Sequence, residues 1–264
     1  MPLRWSSKRI EVIEVINELL NHPLIGGRYF FPQIGNLDDP FWIDCGDAKL
    51  ACSYHELDPQ AKTLVHFHGN GEIVDDYLGS FVKQILDCGC NCLLVEYRGY
   101  GRSTGQAELG RMLEDVRTII ERLGRKPESL IFFGRSVGSL FALEAARLYP
   151  QASGLILESG IADVLERLLL RVEPAELGVE EQEFSTAIQH RFAHQQVLRD
   201  YCGALLVMHA QHDDLVEVEH GEKLYAWGGE PKALKIFPFG DHNSILFANF
   251  EEYFAQIKGF VGRL

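Results

Sequence analysis

The sequence predicts an α/β fold with a mostly parallel central sheet and helices on both of its faces. Apolar runs of about five to seven residues recur along the chain, and short runs of this kind are typical of strands buried on both sides. Most of the runs are followed by a segment with apolar residues at helical spacing, which is the pattern of a parallel sheet. The 264 residues, 46% of them hydrophobic, are enough for one substantial domain.

The predicted sheet opens with an antiparallel hairpin, whose strands FWIDC and LACSYHEL are joined near Gly46 and Asp47. Six apolar runs predict the remaining strands, at residues 63–68, 91–97, 129–133, 154–159, 204–210 and 233–238. Apolar residues at helical spacing predict four helices between and after these strands, from Ile73 to Leu86, from Leu109 to Leu123, from Val137 to Leu148 and from Leu246 to Val261.

The N-terminal residues 1–40 predict a short amphipathic helix and an extension, both packed on the domain formed by residues 41–264. Apolar residues such as Ile10 recur at helical spacing there, and Ser6 or Ser7 is the candidate N-cap. Glutamates interrupt the segment, so it has no secretory signal core.

Residues 161–201 carry helical patterns and many charges but no strand pattern. We therefore predict a helical cap insertion that lies over the carboxyl edge of the sheet. Four apolar residues of the cap indicate a face that packs onto the domain, with an acyl channel as the alternative: Leu165, Leu168, Leu169 and Phe184.

Composition limits the partners of the protein. With 38 acidic and 25 basic side chains the net charge is −13, and such a field repels nucleic acids and anionic lipid surfaces. No window of about eighteen apolar residues exists, so no membrane span is predicted. The expected partner is a small molecule, and the sequence carries no signal for an oligomeric state.

The run Cys88-Gly-Cys90-Asn-Cys92 has C-x-C-x-C spacing rather than the C-x2-C pairs of zinc sites. It predicts free, reduced thiols near the start of a strand, and hence a reducing, cytoplasmic location. We expect neither a metal nor an organic cofactor.

Two serines lie in a G-x-S-x-G pattern, which is a signature of a nucleophilic serine on a sharp strand-to-helix turn. Ser136 directly follows the strand SLIFF and precedes a helical pattern rich in small residues. Ser103 lies in the glycine-rich loop RGYGRSTGQAE, well after its strand ends and before the next helix begins. We therefore predict that Ser136 is the nucleophile.

A nucleophilic serine needs a histidine to accept its proton and a carboxylate to orient that histidine. His242, in FPFGDHNS, follows the last predicted strand and so reaches the same sheet edge as Ser136, whereas His66 lies within a strand and predicts a hydrogen-bonded core residue. Asp213 or Asp214 follows another strand at that edge. Either aspartate is also an N-cap candidate for a helix beginning near Leu215, and Glu158 is an alternative acid on a neighbouring strand.

The turn FHGNGE, after the strand at residues 63–68, predicts the remaining part of the site. The backbone N–H groups of Asn70 and Val137 are candidate donors to a developing oxyanion. The turn contains neither G-x-G-x-x-G nor G-x4-G-K-[ST], so phosphate binding is not indicated.

These motifs resemble the α/β-hydrolase superfamily, and within it the branch with HGN-x-E, YRGYG-S-G, G-x-S-x-G, HG-x-x-D and GDH elements in this order. Eukaryotic members of that branch include depalmitoylating thioesterases. The resemblance spans Phe41 to Leu264. It implies a catalytic triad, with Ser136 as the nucleophile, His242 as the base and Asp213 rather than Asp214 as the acid.

The resemblance also implies that Asn70 and Val137 form the oxyanion hole. Two departures from the pattern are present: Ala210 replaces the glycine of HG-x-x-D, and a cysteine-rich lipidation segment is absent.

The function expected from these residues is a serine hydrolase that cleaves a carboxylic ester or thioester of a small or acyl-chain substrate through an acyl-enzyme. An amidase or peptidase of the same fold is the first alternative. A non-catalytic binding protein on a hydrolase scaffold is the second.

Overall fold

A computed structural model of the protein describes the backbone of residues 7–264 and the side chains from residue 13 onward. Eight strands form one sheet in the order β1-β2-β4-β3-β5-β6-β7-β8. In chain order they are Phe41–Asp44 (β1), Lys49–His55 (β2), Thr63–Phe67 (β3), Asn91–Val95 (β4), Leu130–Arg135 (β5), Gly154–Glu158 (β6), Ala204–Ala210 (β7) and Lys232–Phe237 (β8).

The pairing of the strands confirms the predicted architecture. β1 pairs antiparallel with β2, and β2 pairs antiparallel with β4, while all later neighbours are parallel. Alternate residues of the central strands belong to two separate apolar cores, as Leu64 and Val65 of β3 illustrate. Because both faces of the sheet are covered in this way, most positions of its central strands are apolar.

Helices cover both faces of the sheet. They are Ser7–Leu20 (α1), Pro23–Tyr29 (α2), Ser80–Asp87 (α3), Leu109–Leu123 (α4), Gly138–Leu148 (α5), Val164–Leu169 (α6), Glu181–Arg191 (α7), His194–Asp200 (α8), Val218–Trp227 (α9), Ile245–Ala248 (α10) and Phe250–Val261 (α11). No helix of the described chain is long and apolar enough to cross a membrane.

Two predicted helices are each divided in the structure. The predicted helix from Ile73 to Leu86 is a 3₁₀ turn at Val74–Tyr77 followed by α3, because Gly79 adopts φ 87° and ends the helical path. The predicted last helix is divided into α10 and α11 at Asn249, whose φ of −130° and ψ of 27° are not helical.

The N-terminal segment packs against the domain through α1 and α2. α1 contacts α4 and α7. Ser6, one of the two N-cap candidates, and the Ile10 side chain lie outside the described residues. Residues 161–201 form α6, α7, α8 and a 3₁₀ turn at Pro174–Leu177, and the division into a domain and a cap stays a prediction.

The segment between residues 161 and 201 is joined to the rest of the chain by ion pairs on two sides. On the outside, Arg28 of α2 makes two hydrogen bonds to Glu176, of 2.7 and 2.8 Å. On the inside, the buried Arg191 donates to Glu144 of α5 at 2.9 Å and to Asn17 of α1 at 2.8 Å. Arg191 therefore connects three elements that are far apart in sequence.

The carboxylate of Glu144 is ionised in the folded protein. Burial alone would raise the pKa of Glu144, but the charges and hydrogen bonds of Arg191 and Arg147 outweigh burial and lower this pKa from 4.5 to about 2. A folded-state pKa below the unfolded value stabilises the fold above pH 4.5 and loses that contribution as the pH falls towards 2.

We predict that Glu144→Gln lowers the free energy of unfolding at pH 7 by about 3 kcal/mol. The difference from the parent protein shrinks as the pH falls from 4.5 towards 2, because the unfolded parent then binds a proton at Glu144 that the folded parent does not. Urea unfolding at a series of pH values measures both effects. Glu121→Gln on the exposed face of α4 is the matched control, and a difference at Glu144 that is independent of pH contradicts the prediction.

Candidate active site

The turn between β5 and α5 holds Ser136 in a strained conformation. Its φ is 52°, a left-handed value that non-glycine residues rarely adopt. A Cβ at Gly134 would lie 2.5 Å from the carbonyl oxygen of Gly138, and a Cβ at Gly138 would overlap the carbonyl oxygen of Phe67. Strand and helix approach so closely here that only glycine fits on either side of the serine.

Ser136 meets His242 at the carboxyl edge of the sheet. The imidazole Nε2 lies 2.8 Å from the Ser136 Oγ, although the two residues are 106 positions apart. The histidine Nδ1 lies 2.9 and 2.8 Å from the two carboxylate oxygens of Asp213. Since an ionised carboxylate only accepts hydrogen bonds, Nδ1 carries the proton and Nε2 presents its lone pair to the serine hydroxyl.

Asp213 is buried and ionised. Burial alone would raise the pKa of this carboxyl, but the contacts with His209 and His242 outweigh burial and hold the pKa well below its usual range. The backbone N–H of Val216 also donates to it, at 2.8 Å. The ring of His209 donates from Nε2 to the carbonyl oxygen of Val216 at 2.8 Å and lies 3.3 Å from the carboxylate. Asp213 is therefore fixed in place by several donors.

The other candidate acids do not contact His242. Asp214 is exposed to solvent. Glu158 is buried, pairs with Arg135 at 3.3 Å and accepts a hydrogen bond from the hydroxyl of Tyr253. The helix predicted near Leu215 begins later, at Val218, and Asp213 closes a turn before it.

The two N–H groups predicted as oxyanion donors belong to residues that line the same cavity as Ser136. They are those of Asn70, after β3, and Val137, after the serine. Within the part of the chain that the structure describes, neither backbone N–H donates to another group. The Asn70 side chain is held in place: its Oδ1 accepts from the Phe31 N–H at 3.1 Å and from the Tyr100 hydroxyl at 2.9 Å.

Arg135, the residue before the serine, connects three parts of the site. Its guanidinium donates to the carbonyl oxygen of His242 at 2.8 Å and lies 2.5 Å from the carboxylate of Glu72. Glu72 in turn accepts from the Gly69 N–H at 2.6 Å, at the start of the turn that carries Asn70. The roles of Arg135, Glu72 and His209 in the site were not predicted from the sequence. Their only signal was a charged or titratable residue next to a buried strand end.

Two other residues from the sequence analysis lie away from the cavity. The Ser103 hydroxyl accepts a hydrogen bond from the Ala51 N–H at 2.9 Å. His66 packs among the rings of Tyr77, Phe81 and Phe133. Its buried Nε2 has no hydrogen-bond partner among the described residues, so the prediction of a hydrogen-bonded histidine is wrong at this atom.

The cavity beside Ser136 has a volume of about 340 Å³. Apolar side chains form most of its wall. Among them are Leu140 of α5 and, from residues 161–201, Ile161, Val164 and Leu168. Tyr29, Phe30 and Phe31 at the end of α2 complete the wall. The N-terminal segment thus contributes directly to the site, which the sequence did not indicate.

The described residues include one group with metal-ligand spacing, Glu166, Glu217 and His220. His220 Nδ1 accepts hydrogen bonds from the N–H groups of Ala162 and Asp163, at 3.1 and 3.4 Å. The proton of the neutral ring is therefore on Nε2, the atom that faces the two glutamates, and that atom has no lone pair for a metal. Burial lowers the pKa of His220 and favours this neutral form.

Cys88, Cys90 and Cys92 show no metal-ligand grouping among the described residues, and their thiols are free. Burial raises the pKa of Cys90 to about 11 and raises that of Cys92 further. Both thiols are therefore protonated at neutral pH, and neither the thiols nor the His220 cluster offers a ready metal site.

Comparisons with known proteins bear on the fold. A family model described as "Serine aminopeptidase, S33", of the Hydrolase_4 family, matches residues 58–177. The alpha/beta hydrolase domain-containing protein 17B of Homo sapiens is 23% identical over 220 residues, which cover 81% of this chain and 72% of the relative. The solved Pyrococcus furiosus esterase Pf2001 superposes with a TM-score of 0.70 at 18% identity, covering 89% of this chain and 98% of the esterase.

This chain has the α/β-hydrolase fold. The alpha/beta hydrolase domain-containing protein 10 from mouse superposes on this chain with a TM-score of 0.68 at 16% identity, covering 86% of the chain and 99% of the mouse structure. The uncharacterized protein YfhR of Escherichia coli (strain K12) is 23% identical over 189 residues, which cover 68% of the chain and 62% of the relative.

We predict that Gly138→Ala lowers the free energy of unfolding of the protein by about 3 kcal/mol, because the added methyl group displaces the backbone of β3 from α5. Urea unfolding followed by circular dichroism measures the loss. Gly27→Ala in α2 is the matched control, since no atom lies within 4 Å of its added Cβ. Unchanged stability of Gly138→Ala would show that the turn is not crowded.

Proposed function

We propose that this protein, which has the α/β-hydrolase fold, is a serine hydrolase that cleaves a carboxylic ester or thioester through an acyl-enzyme intermediate. The observation that carries the proposal is the 2.8 Å contact between Ser136 Oγ and His242 Nε2, beside a cavity that a substrate can enter. The positive φ of Ser136 supports it too, because strained residues concentrate at functional sites.

In the proposed reaction, Ser136 Oγ attacks the substrate carbonyl carbon while His242 Nε2 takes the hydroxyl proton. Asp213 stays ionised and stabilises the imidazolium. The N–H groups of Asn70 and Val137 donate to the tetrahedral oxyanion, and each such donor is worth about 3 kcal/mol of barrier. The imidazolium then protonates the leaving oxygen or sulfur, and a water molecule, deprotonated by His242, hydrolyses the acyl-serine.

The substrate class is proposed from the shape and the polarity of the cavity. Its apolar wall suits a hydrocarbon group next to the scissile carbonyl, and its volume of about 340 Å³ is near the lower end of the usual range for small-molecule sites. Several solved structures of similar fold are named as esterases, including that of Pyrococcus furiosus and one from Exiguobacterium antarcticum. We extend this activity to the chain as part of the proposal.

A peptidase or amidase is the second candidate, because the matching family model is described as a serine aminopeptidase. An aminopeptidase has to bind the positively charged α-amino group of its substrate. Among the described residues that line the cavity, none is Asp or Glu, while Arg135, Arg167 and Arg171 are cationic. This charge disfavours an aminopeptidase and leaves an ester or a thioester as the first candidate.

The alternative of a non-catalytic binding protein requires that the Ser136, His242 and Asp213 constellation has no catalytic role, and such a role is the simpler reason for its geometry. We also propose a reducing, cytoplasmic location, supported by the six cysteines, all of which are free thiols.

We predict that Ser136→Ala lowers kcat/KM for p-nitrophenyl butyrate by at least about a thousandfold, because the acyl-enzyme cannot form. The absorbance of the released p-nitrophenolate measures the rate of hydrolysis. Ser103→Ala is the matched control, since it removes a hydroxyl from the other G-x-S-x-G pattern and is expected to retain activity. Retention of more than about a tenth of the activity in Ser136→Ala, or its loss in Ser103→Ala, would refute the assignment.

The same assay separates the two candidate reactions. Parallel panels of p-nitrophenyl esters and p-nitroanilides with identical acyl groups should show hydrolysis of the esters and little hydrolysis of the anilides. Faster hydrolysis of the anilides favours the amidase or peptidase. No hydrolysis in either panel, with acyl compounds binding equally to the parent and to Ser136→Ala, favours a binding protein.

A further inference from the structure

We propose that Arg167 and Arg171 form a subsite for an anionic group of the substrate, a carboxylate or a phosphate, at the side of the cavity formed by residues 161–201. The inference rests on the proposed ester or thioester hydrolysis and narrows its substrate class. The substrate would carry its negative charge at a distance from the scissile carbonyl, with an apolar segment between the two.

The charge of the cavity wall differs from that of the whole chain. The whole chain has 13 more acidic than basic side chains. The described residues that line the cavity nevertheless include three arginines and neither Asp nor Glu. One of the three, Arg135, already pairs with Glu72 and Glu158 beneath the nucleophile. Two cationic groups, Arg167 and Arg171, therefore remain to attract an anion to a site on an otherwise acidic protein.

The guanidinium of Arg171 is held by a carbonyl oxygen and two aromatic rings. Its guanidinium donates to the carbonyl oxygen of Arg28 at 2.8 Å. It also lies over the rings of Tyr29 and Phe31, 5.5 and 5.4 Å from their centroids. A guanidinium has five N–H donors, and the described residues include no carboxylate within 4 Å of this one. Arg171 is thus oriented by neutral groups that leave most of its donors available.

Neighbouring Arg28 has a carboxylate partner, in contrast to Arg171. It makes a two-point ion pair with Glu176, which satisfies its charge. Bidentate pairing of this kind is the geometry that an arginine also offers to a carboxylate or a phosphate of a ligand. Arg171 lies on the same surface without such a partner. A ligand anion can therefore pair with Arg171 in the way that Glu176 pairs with Arg28.

Arg167 provides the second cation. It precedes Arg171 by four residues, about one helical turn, and its nearest carboxylate oxygen, on Glu217, is 4.0 Å away, beyond hydrogen-bond range. The backbone at this point is fixed, because the Tyr29 hydroxyl donates to the carbonyl oxygens of Arg167 and Leu168. Both arginines are therefore mounted on a segment that is docked firmly against α2.

The experiment compares matched anionic and neutral substrates. On the acyl side, the pair is p-nitrophenyl hydrogen glutarate and its neutral methyl ester. On the leaving-group side, the pair is the S-butyryl thioester of 3-mercaptopropionate and its methyl ester. The measured quantity is the ratio of kcat/KM for the anionic substrate to that for its neutral partner, and it distinguishes which half of the substrate carries the charge.

We predict that the parent protein prefers the anionic member of one pair and that the double variant Arg167→Gln and Arg171→Gln lowers this ratio by about tenfold or more, because charge-assisted hydrogen bonds are lost. The single variants should each lower it less. Arg117→Gln on the exposed face of α4 makes the same change in net charge as either single variant and should leave the ratio unchanged. Added salt should also lower the ratio for the parent protein.

Equal losses on the anionic and neutral substrates would overturn the subsite, because they indicate a structural role for the two arginines. A preference of the parent protein for the neutral member of both pairs would overturn it as well. Either result, with neutral esters still hydrolysed in a Ser136-dependent manner, leaves the proposed function intact. Conversely, calorimetric binding of glutarate to Ser136→Ala that is lost with the two arginines would support the subsite even if no ester were hydrolysed.

Discussion

The crowded turn between β5 and α5 is the constraint on which the rest of the site depends. Strand and helix meet so closely that no side chain fits at Gly134 or Gly138, and the residue between them is forced to φ 52°. A left-handed residue of this kind costs about 1–2 kcal/mol. The surrounding sheet holds it in place, since the Ser136 N–H donates to the carbonyl oxygen of Glu158 on the neighbouring strand at 2.8 Å. This conformation places the Ser136 hydroxyl at the carboxyl edge of the sheet.

Buried charges then fix the groups that meet at that hydroxyl. Arg135 contacts the loop of His242 and the glutamate that holds the turn of Asn70, so one guanidinium sets the relative position of three segments. Ion pairs in the interior contribute little net stability, because desolvation offsets their attraction. Positioning is therefore the better explanation for this network, and the donors around Asp213 serve the same purpose for the base.

Much of the architecture was predictable because it depends on local pattern. Buried strands are apolar at most positions, and the sequence around Ser136, in contrast to that around Ser103, combines a strand end with small residues. The breaks at Gly79 and Asn249 were not predictable, because the hydrophobic spacing continues across them while the backbone does not. The choice between Asp213, Asp214 and Glu158 required burial and contacts, which spacing alone does not give.

The missed parts of the site depend on contacts between distant segments. Tyr29 and Phe31 reach the cavity only because α2 docks on residues 161–201 through Arg28 and Arg171, more than 140 positions later. His209 lies within a strand pattern, and only its contact with Asp213, at 3.3 Å, shows that it belongs to the site. The catalytic roles of Ser136, Asp213 and His242 stay predictions, and they depend on the reactivity of one hydroxyl.

The most direct test of that reactivity is the site of modification by a fluorophosphonate, mapped by mass spectrometry of the digested protein. The account predicts a single adduct on Ser136, formed in the folded protein and absent after denaturation before labelling, because only the folded chain brings His242 to that hydroxyl. An adduct on a different residue, or none on folded protein, would contradict it.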